Sequence, residues 1–136
     1  MKPIRILLIA TLAAIMCCSL TSCEEQLITS ELTFTNTTSK YCMQLYCDGQ
    51  ELFSDTYRLW PGKSQIHSNS SKTSGNYWNF TKYPVDIKIE WYEMTGNQTF
   101  KKTPSHSNTK QNCRFNLGTN YKVTIRDKDF TIQPIY

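Results

Sequence analysis

Val85-Asp86-Ile87-Lys88-Ile89-Glu90-Trp91-Tyr92 decides the class of fold. Val85, Ile87, Ile89 and Trp91 fall on one parity, and Asp86, Lys88, Glu90 and Tyr92 on the other. Successive side chains of a strand point to opposite faces, so this alternation describes a β-strand with one buried and one wet face. The same period returns on both sides of it. Leu32 and Phe34 alternate with threonines, and Tyr41, Met43, Leu45 and Cys47 alternate with Cys42, Gln44, Tyr46 and Asp48. Later, Cys113, Phe115 and Leu117, then Tyr121, Val123 and Ile125, then Phe130 and Ile132 repeat it. Beyond the first 22 residues no window of a dozen keeps the 3.6-residue period of a helix.

Turn chemistry separates these segments. Asp48-Gly49 is the pair that a type I′ hairpin needs, because both central residues take positive φ. Trp60-Pro61-Gly62-Lys63 presets φ at the proline and frees it at the glycine, as a type II turn requires. Thr95-Gly96-Asn97, Gly118-Thr119-Asn120 and Asp127-Lys128 turn later strands, while 69–76 and 103–110 read as polar loops. A return strand is expected over 50–59. About eight short strands with turns at roughly 8–12-residue spacing describe an all-β, antiparallel β-sandwich of about seven to nine strands and immunoglobulin-like size. A small β-barrel is the alternative. Strands with one polar face favour antiparallel pairing. This domain takes residues 31–136.

The start of the chain is of another kind. Lys2 and Arg5 precede an apolar run over 6–16, and small residues then lead to Cys23. A basic start, a short apolar stretch and a small-residue exit make a secretory signal, read as a signal-peptide helix. It is too short for a spanning helix, which needs about 20 apolar residues. Leu20-Thr21-Ser22-Cys23 resembles the lipobox of bacterial lipoproteins, in which a cysteine after a small residue is acylated before cleavage. The resemblance implies a lipoprotein signal peptide over 1–22, lipidation of Cys23 and a lipid-anchored tether over 23–30. An ordinary signal cut near Ser22 is the alternative. Glu24-Glu25 resembles the surface-export signal of lipoproteins from Bacteroides-type bacteria, which implies an outer-membrane anchor with either face open.

Within the body, Leu32-Thr33-Phe34-Thr35-Asn36-Thr37-Thr38, Leu45-Tyr46-Cys47-Asp48-Gly49 and Leu59-Trp60-Pro61-Gly62-Lys63-Ser64 carry a second resemblance. They are similar to the opening of small secreted β-domains found in lipoproteins of Bacteroides-type bacteria. That likeness is one of turn chemistry and brings no catalytic residues. Tyr46-Cys47-Asp48-Gly49-Gln50-Glu51-Leu52 and Ser74-Gly75-Asn76-Tyr77 resemble features of the small lipoprotein inhibitors of lysozyme, which implies inhibition of a hydrolase as an alternative role.

Of 15 Lys and Arg, Lys2 and Arg5 leave with the signal, and the remaining 13 nearly balance 11 acids. Nucleic-acid binding shows as a clustered basic stripe and is not expected here. Three cysteines remain beyond Cys23. Cys42 and Cys47 sit five residues apart in an extended run, about 16 Å between Cα atoms and on opposite faces. A bridge reaches about 7 Å, so a disulfide in an exported domain would involve Cys113; Cys47, on the apolar parity with Met43 and Leu45, is its preferred partner, with two unbridged core thiols as the alternative. His67 and His106 lack a partner at metal-ligand spacing and are expected at the surface, so neither metal nor cofactor is expected. Glu90 and Glu93 flank aromatics but lie on a small all-β frame, and no catalytic residue is assigned. The Asn-x-Ser/Thr triplets at Asn36, Asn69, Asn79 and Asn97 read as by-products of a Ser/Thr/Asn-rich surface.

The aromatic load stands out: three Trp and eight Tyr. Tyr and Trp give large, rigid contact area at low entropic cost. Tyr77, Trp78, Phe80 and Tyr83 form the expected binding surface. The expected role is a non-enzymatic, lipid-anchored binding or accessory module with a protein or glycan partner.

Overall fold

The computed structural model describes residues 27–74 and 79–136. Nine strands are present among them: β1 (Thr29–Asn36), β2 (Tyr41–Cys47), β3 (Gln50–Glu51), β4 (Ser64–Ser70), β5 (Val85–Gly96), β6 (Thr99–Phe100), β7 (His106–Cys113), β8 (Asn120–Ile125) and β9 (Phe130–Ile135). They form two sheets. One has the order β4-β1-β8-β9; the other runs β3-β2-β5, with β6 and β7 end to end along the far edge of β5. Two separate sheets with one core between them make a sandwich, not a closed barrel.

The core follows the period-2 pattern. Leu32 and Phe34 from β1, Met43 and Leu45 from β2, Ile87, Ile89 and Trp91 from β5, and Val123 and Ile125 from β8 are all fully buried between the sheets. The Asp48-Gly49 turn takes φ of 53° and 85°, and Gly62 takes 76°, as their turn types demand. Lys63 N–H closes the latter turn on Trp60 O at 3.1 Å.

Three features depart from expectation. First, pairing is antiparallel except at β1–β8, which is parallel, Leu32 opposite Tyr121 and Asn36 opposite Ile125. Thr29 and Ser30, expected in the tether, already pair with Ser70 and Asn69 of β4. Second, 106–113 is a strand and not a loop: β7 pairs with β5 while almost all of its side chains stay exposed. A strand wet on both faces has no apolar alternation to announce it. Cys113 ends that strand, and Phe115 and Leu117 belong to the turn that follows. Third, the return strand after Gly49 lasts only for β3. Leu52 N–H still donates to Leu45 O of β2 at 2.8 Å; the chain then leaves the sheet over 53–58 and touches β2 again where Leu59 and Met43 exchange backbone hydrogen bonds at 2.9 and 3.0 Å.

The strands also define two ends. β1 starts at an N-terminal pole shared with the end of β4, the start of β8, the end of β9 and the start of β5. The far pole holds Asn36, Tyr41, Ser64, Gly96 and the β8–β9 hairpin. There Trp91 Nε1 donates to Arg126 O at 2.6 Å and His106 Nε2 meets Lys128 O at 2.8 Å, which joins the two sheets. Asn36 is buried at the same pole. Its Nδ2 donates to Tyr41 O and Leu59 O, and its Oδ1 accepts from Thr38 N–H and Oγ1.

Candidate functional site

The outer face of β2 and β5 was expected to be wet, yet Cys42 and Gln44 are fully buried on it and Tyr92 nearly so. Residues 52–58 are what cover it. Gln44 fastens that segment: its Oε1 accepts from Phe53 N–H at 3.1 Å and its Nε2 donates to Phe53 O at 3.0 Å. One side-chain amide thus gives Phe53 the two backbone bonds that a neighbouring strand would supply. Arg58 fixes the other end. Its guanidinium is buried over the rings of Tyr92 (4.5 Å) and Phe100 (4.8 Å), and Nη1 donates to Ser54 O and Tyr57 O at 2.9 and 2.7 Å. Cation–π contact and capped carbonyls hold the segment in one shape.

That shape carries a chain of rings. Phe53 meets Tyr57 edge-on at 5.2 Å, Tyr57 meets Trp60 at 5.8 Å and 78°, Trp60 meets Phe100 at 6.0 Å, and Phe100 meets Tyr92 at 5.7 Å. The inner rings are packed away, whereas Tyr57 keeps 49% of its surface exposed. Tyr57 and Trp60 form an open corner at the far pole, in a groove of about 420 Å³ with Leu59 at its base. Gln65, Gln98, Ser64 and Lys63 supply its polar rim.

Next to this corner lies a charged cluster. Tyr46 and Tyr92 both donate their hydroxyls to Glu90 Oε1, at 2.6 and 2.8 Å, and Lys88 Nζ stands 3.5 Å from Oε2. Burial alone would raise the Glu90 pKa, but the two phenols and the ammonium outweigh it and hold the carboxyl below its usual range. Burial first, then the hydrogen bond to Glu90 and after it the Glu90 charge, push both phenols up. Across neutral pH the cluster is therefore locked as one carboxylate and two neutral phenols, an arrangement suited to rigidity and not to proton transfer. Among the described residues no group of three or more His, Cys, Asp and Glu could hold a metal ion.

The expected site residues are placed differently. Tyr77 and Trp78 lie outside the described residues, as do Cys23 and the signal segment. Phe80 is not on a surface: it is buried, its ring edge-on to Phe115 at 5.6 Å and its N–H bonded to Asn69 Oδ1. Tyr83 is 49% exposed, at the N-terminal pole and away from the Tyr57 corner. Cys47 and Cys113 are free thiols and do not form the expected bridge. Their strands β2 and β7 flank β5 on opposite sides, and two strand spacings, about 9.5 Å, exceed what a disulfide spans. Burial, with a smaller push from Asp48 and Cys113, raises the Cys47 thiol to about 12.

Other residues also differ from expectation. His67 is half-buried, and burial lowers its pKa. Asn36, Asn69 and Asn79 are buried turn-closers and not incidental surface residues; Asn79 Nδ2 donates to Thr73 O at 2.7 Å. The Tyr57–Trp60 corner was not singled out from sequence. The one available signal was Trp60 leading a type II turn, which commits a large ring to a loop. Compared with protein-family models, curated proteins and solved structures, the chain matches none.

Proposed function

We propose that the protein is a lipid-anchored module of a bacterial cell envelope that binds a saccharide partner in the Tyr57–Trp60 groove, serving as a binding or accessory subunit. The observation that carries this reading is the corner itself: two rings at 78°, one of them half-exposed, held by a buried Arg and Gln. A sugar ring has apolar C–H faces and a hydroxyl edge. An aromatic corner takes the faces, and the amides of Gln65 and Gln98 can each donate to and accept from the hydroxyls. Concave sites of this kind combine aromatic walls with a few placed polar groups. Lys63 adds the one charge on the lining, which suits a neutral or acidic sugar. The lipobox and the acidic pair after Cys23 support the envelope location.

The test is titration calorimetry of the full chain against neutral and acidic bacterial envelope polysaccharides, with a lysozyme in the same panel. Binding that Tyr57→Ala weakens at least about tenfold supports the reading (a loss of roughly 1.4 kcal/mol). Equal binding by the variant moves the site elsewhere. Inhibition of lysozyme that survives Tyr57→Ala replaces it with the inhibitor role.

A further inference from the structure

Apolar side chains are exposed at one end of the sandwich. Leu27 and Ile28, just before β1, are about half exposed, as is Ile135 at the end of β9; Leu117, in the turn before β8, is 39% exposed. They are neighbours through the fold. Ser71 N–H donates to Ile28 O at 2.9 Å, a Cβ placed on Gly118 would meet Ile28 Cγ2 at 3.3 Å, and Asn120 beside that turn pairs with Ile135. Leu117 shares a shallow depression with Ser70, Asn79 and Lys82, and Lys82 Nζ sits 5.4 Å from the Tyr83 ring centre. One pole therefore shows leucine and isoleucine tips, an exposed tyrosine and a lysine whose ammonium lies over the ring. Tyrosines and stretched lysines suit a membrane–water boundary, where one end of the side chain is apolar and the other wet.

The chain's own connectivity selects the occupant. Cys23 precedes Leu27 by four residues, a reach of about 14 Å at full extension. An acylated Cys23 holds this pole, and not the far pole, against the bilayer. We infer that the N-terminal pole rests on the lipid surface through Leu27, Ile28, Tyr83, Leu117 and Ile135, and that this contact fixes the direction in which the domain stands. The inference rests on the proposed acylation of Cys23. No single tip gives measurable affinity, but on a tethered body even weak contacts act at high effective concentration. The Tyr57–Trp60 corner then faces away from the membrane, about 23 Å beyond Thr29 by the length of β1.

The test uses the full chain with labelled Ile and Leu methyl groups, reconstituted in nanodiscs of phosphatidylethanolamine and phosphatidylglycerol that carry a nitroxide on the acyl chain. The Ile28, Leu117 and Ile135 methyl signals are expected to lose most of their intensity, while Leu59 and Ile125 at the far pole keep theirs. Equal loss at both poles, loss at the far pole, or no loss overturns the inference. Intact mass of the same sample reads acylation separately. If Cys23 carries no lipid, the anchor reading fails by itself. The pole is then judged by adding the unlipidated chain to the same nanodiscs at millimolar lipid, where unbroadened Ile28, Leu117 and Ile135 signals overturn it.

Discussion

Glu90 accepts two phenolic hydrogen bonds on one oxygen, and the arrangement has a pH signature. Its folded pKa lies below the ordinary 4.5. A depressed carboxyl contributes stability that is present above its unfolded value and is lost as pH falls through the folded one. The thermal midpoint is therefore expected to drop below pH 4.5, and to drop less steeply in Glu90→Gln, as calorimetric scans across that range would read. Tyr46→Phe is expected to cost about 1.5 kcal/mol at pH 7 by urea titration, the loss of a hydrogen bond to a charged group. His67 acts in a higher window. Burial lowers its pKa from 6.5, so the folded state resists the added proton and loses stability as pH falls below that value. His67→Gln should flatten the stability curve between about pH 6.5 and 5. The thiols give a third reading. Burial raises Cys42 to about 11 and Cys47 to about 12, so neither is nucleophilic at neutral pH. Iodoacetamide on the native protein should modify Cys113 before either, and reduction should leave the masses of these three cysteines unchanged.

At the scale of elements, the decisive one has no regular structure. Residues 52–58 depend on two side chains, Gln44 below and Arg58 at their end. Gln44→Ala would leave the buried N–H and C=O of Phe53 without partners, at a cost of about 3 kcal/mol. It should also weaken saccharide binding although Gln44 does not line the groove; chemical denaturation and calorimetry on one variant would read both. Gly62→Ala meets nothing within 4 Å, so its expected cost of about 1 kcal/mol is that of a left-handed backbone alone.

These elements show where sequence stops being legible. β5 and β2 declare themselves because burial of one face writes period 2 into the sequence, and Asp48-Gly49 and Pro61-Gly62 because their φ values admit few residues. β7 is held to β5 by backbone bonds and buries none of its side chains fully, so most of its positions are free to be polar. The covering segment is invisible for the opposite reason. Gln44 and Tyr92 sit at positions that read as wet, and only the three-dimensional path of 52–58 buries them. The site inherits that silence, since Tyr57 and Trp60 meet through a loop whose shape Arg58 sets from within.

For the whole molecule, the sheet order makes the chain's two ends interdependent. β1 sits between β4 and β8, so the four-stranded sheet closes only when residues 120–125 reach residues 32–36. Pairing across nearly the whole sequence is slow, because loop closure is unfavourable until those contacts form. Amide exchange should accordingly be slowest in β1, β2, β5 and β8, which have partners on both sides, and fastest in β6 and 54–58.

The same position of β1 governs how the domain answers a pull. Tension arriving through the N-terminus runs along the axis of β1, between a neighbour on each side. The two ladders of backbone bonds are then loaded all at once, in shear, and not peeled open one after another. A force-resistant clasp of this kind would keep the body folded when its two poles are pulled apart.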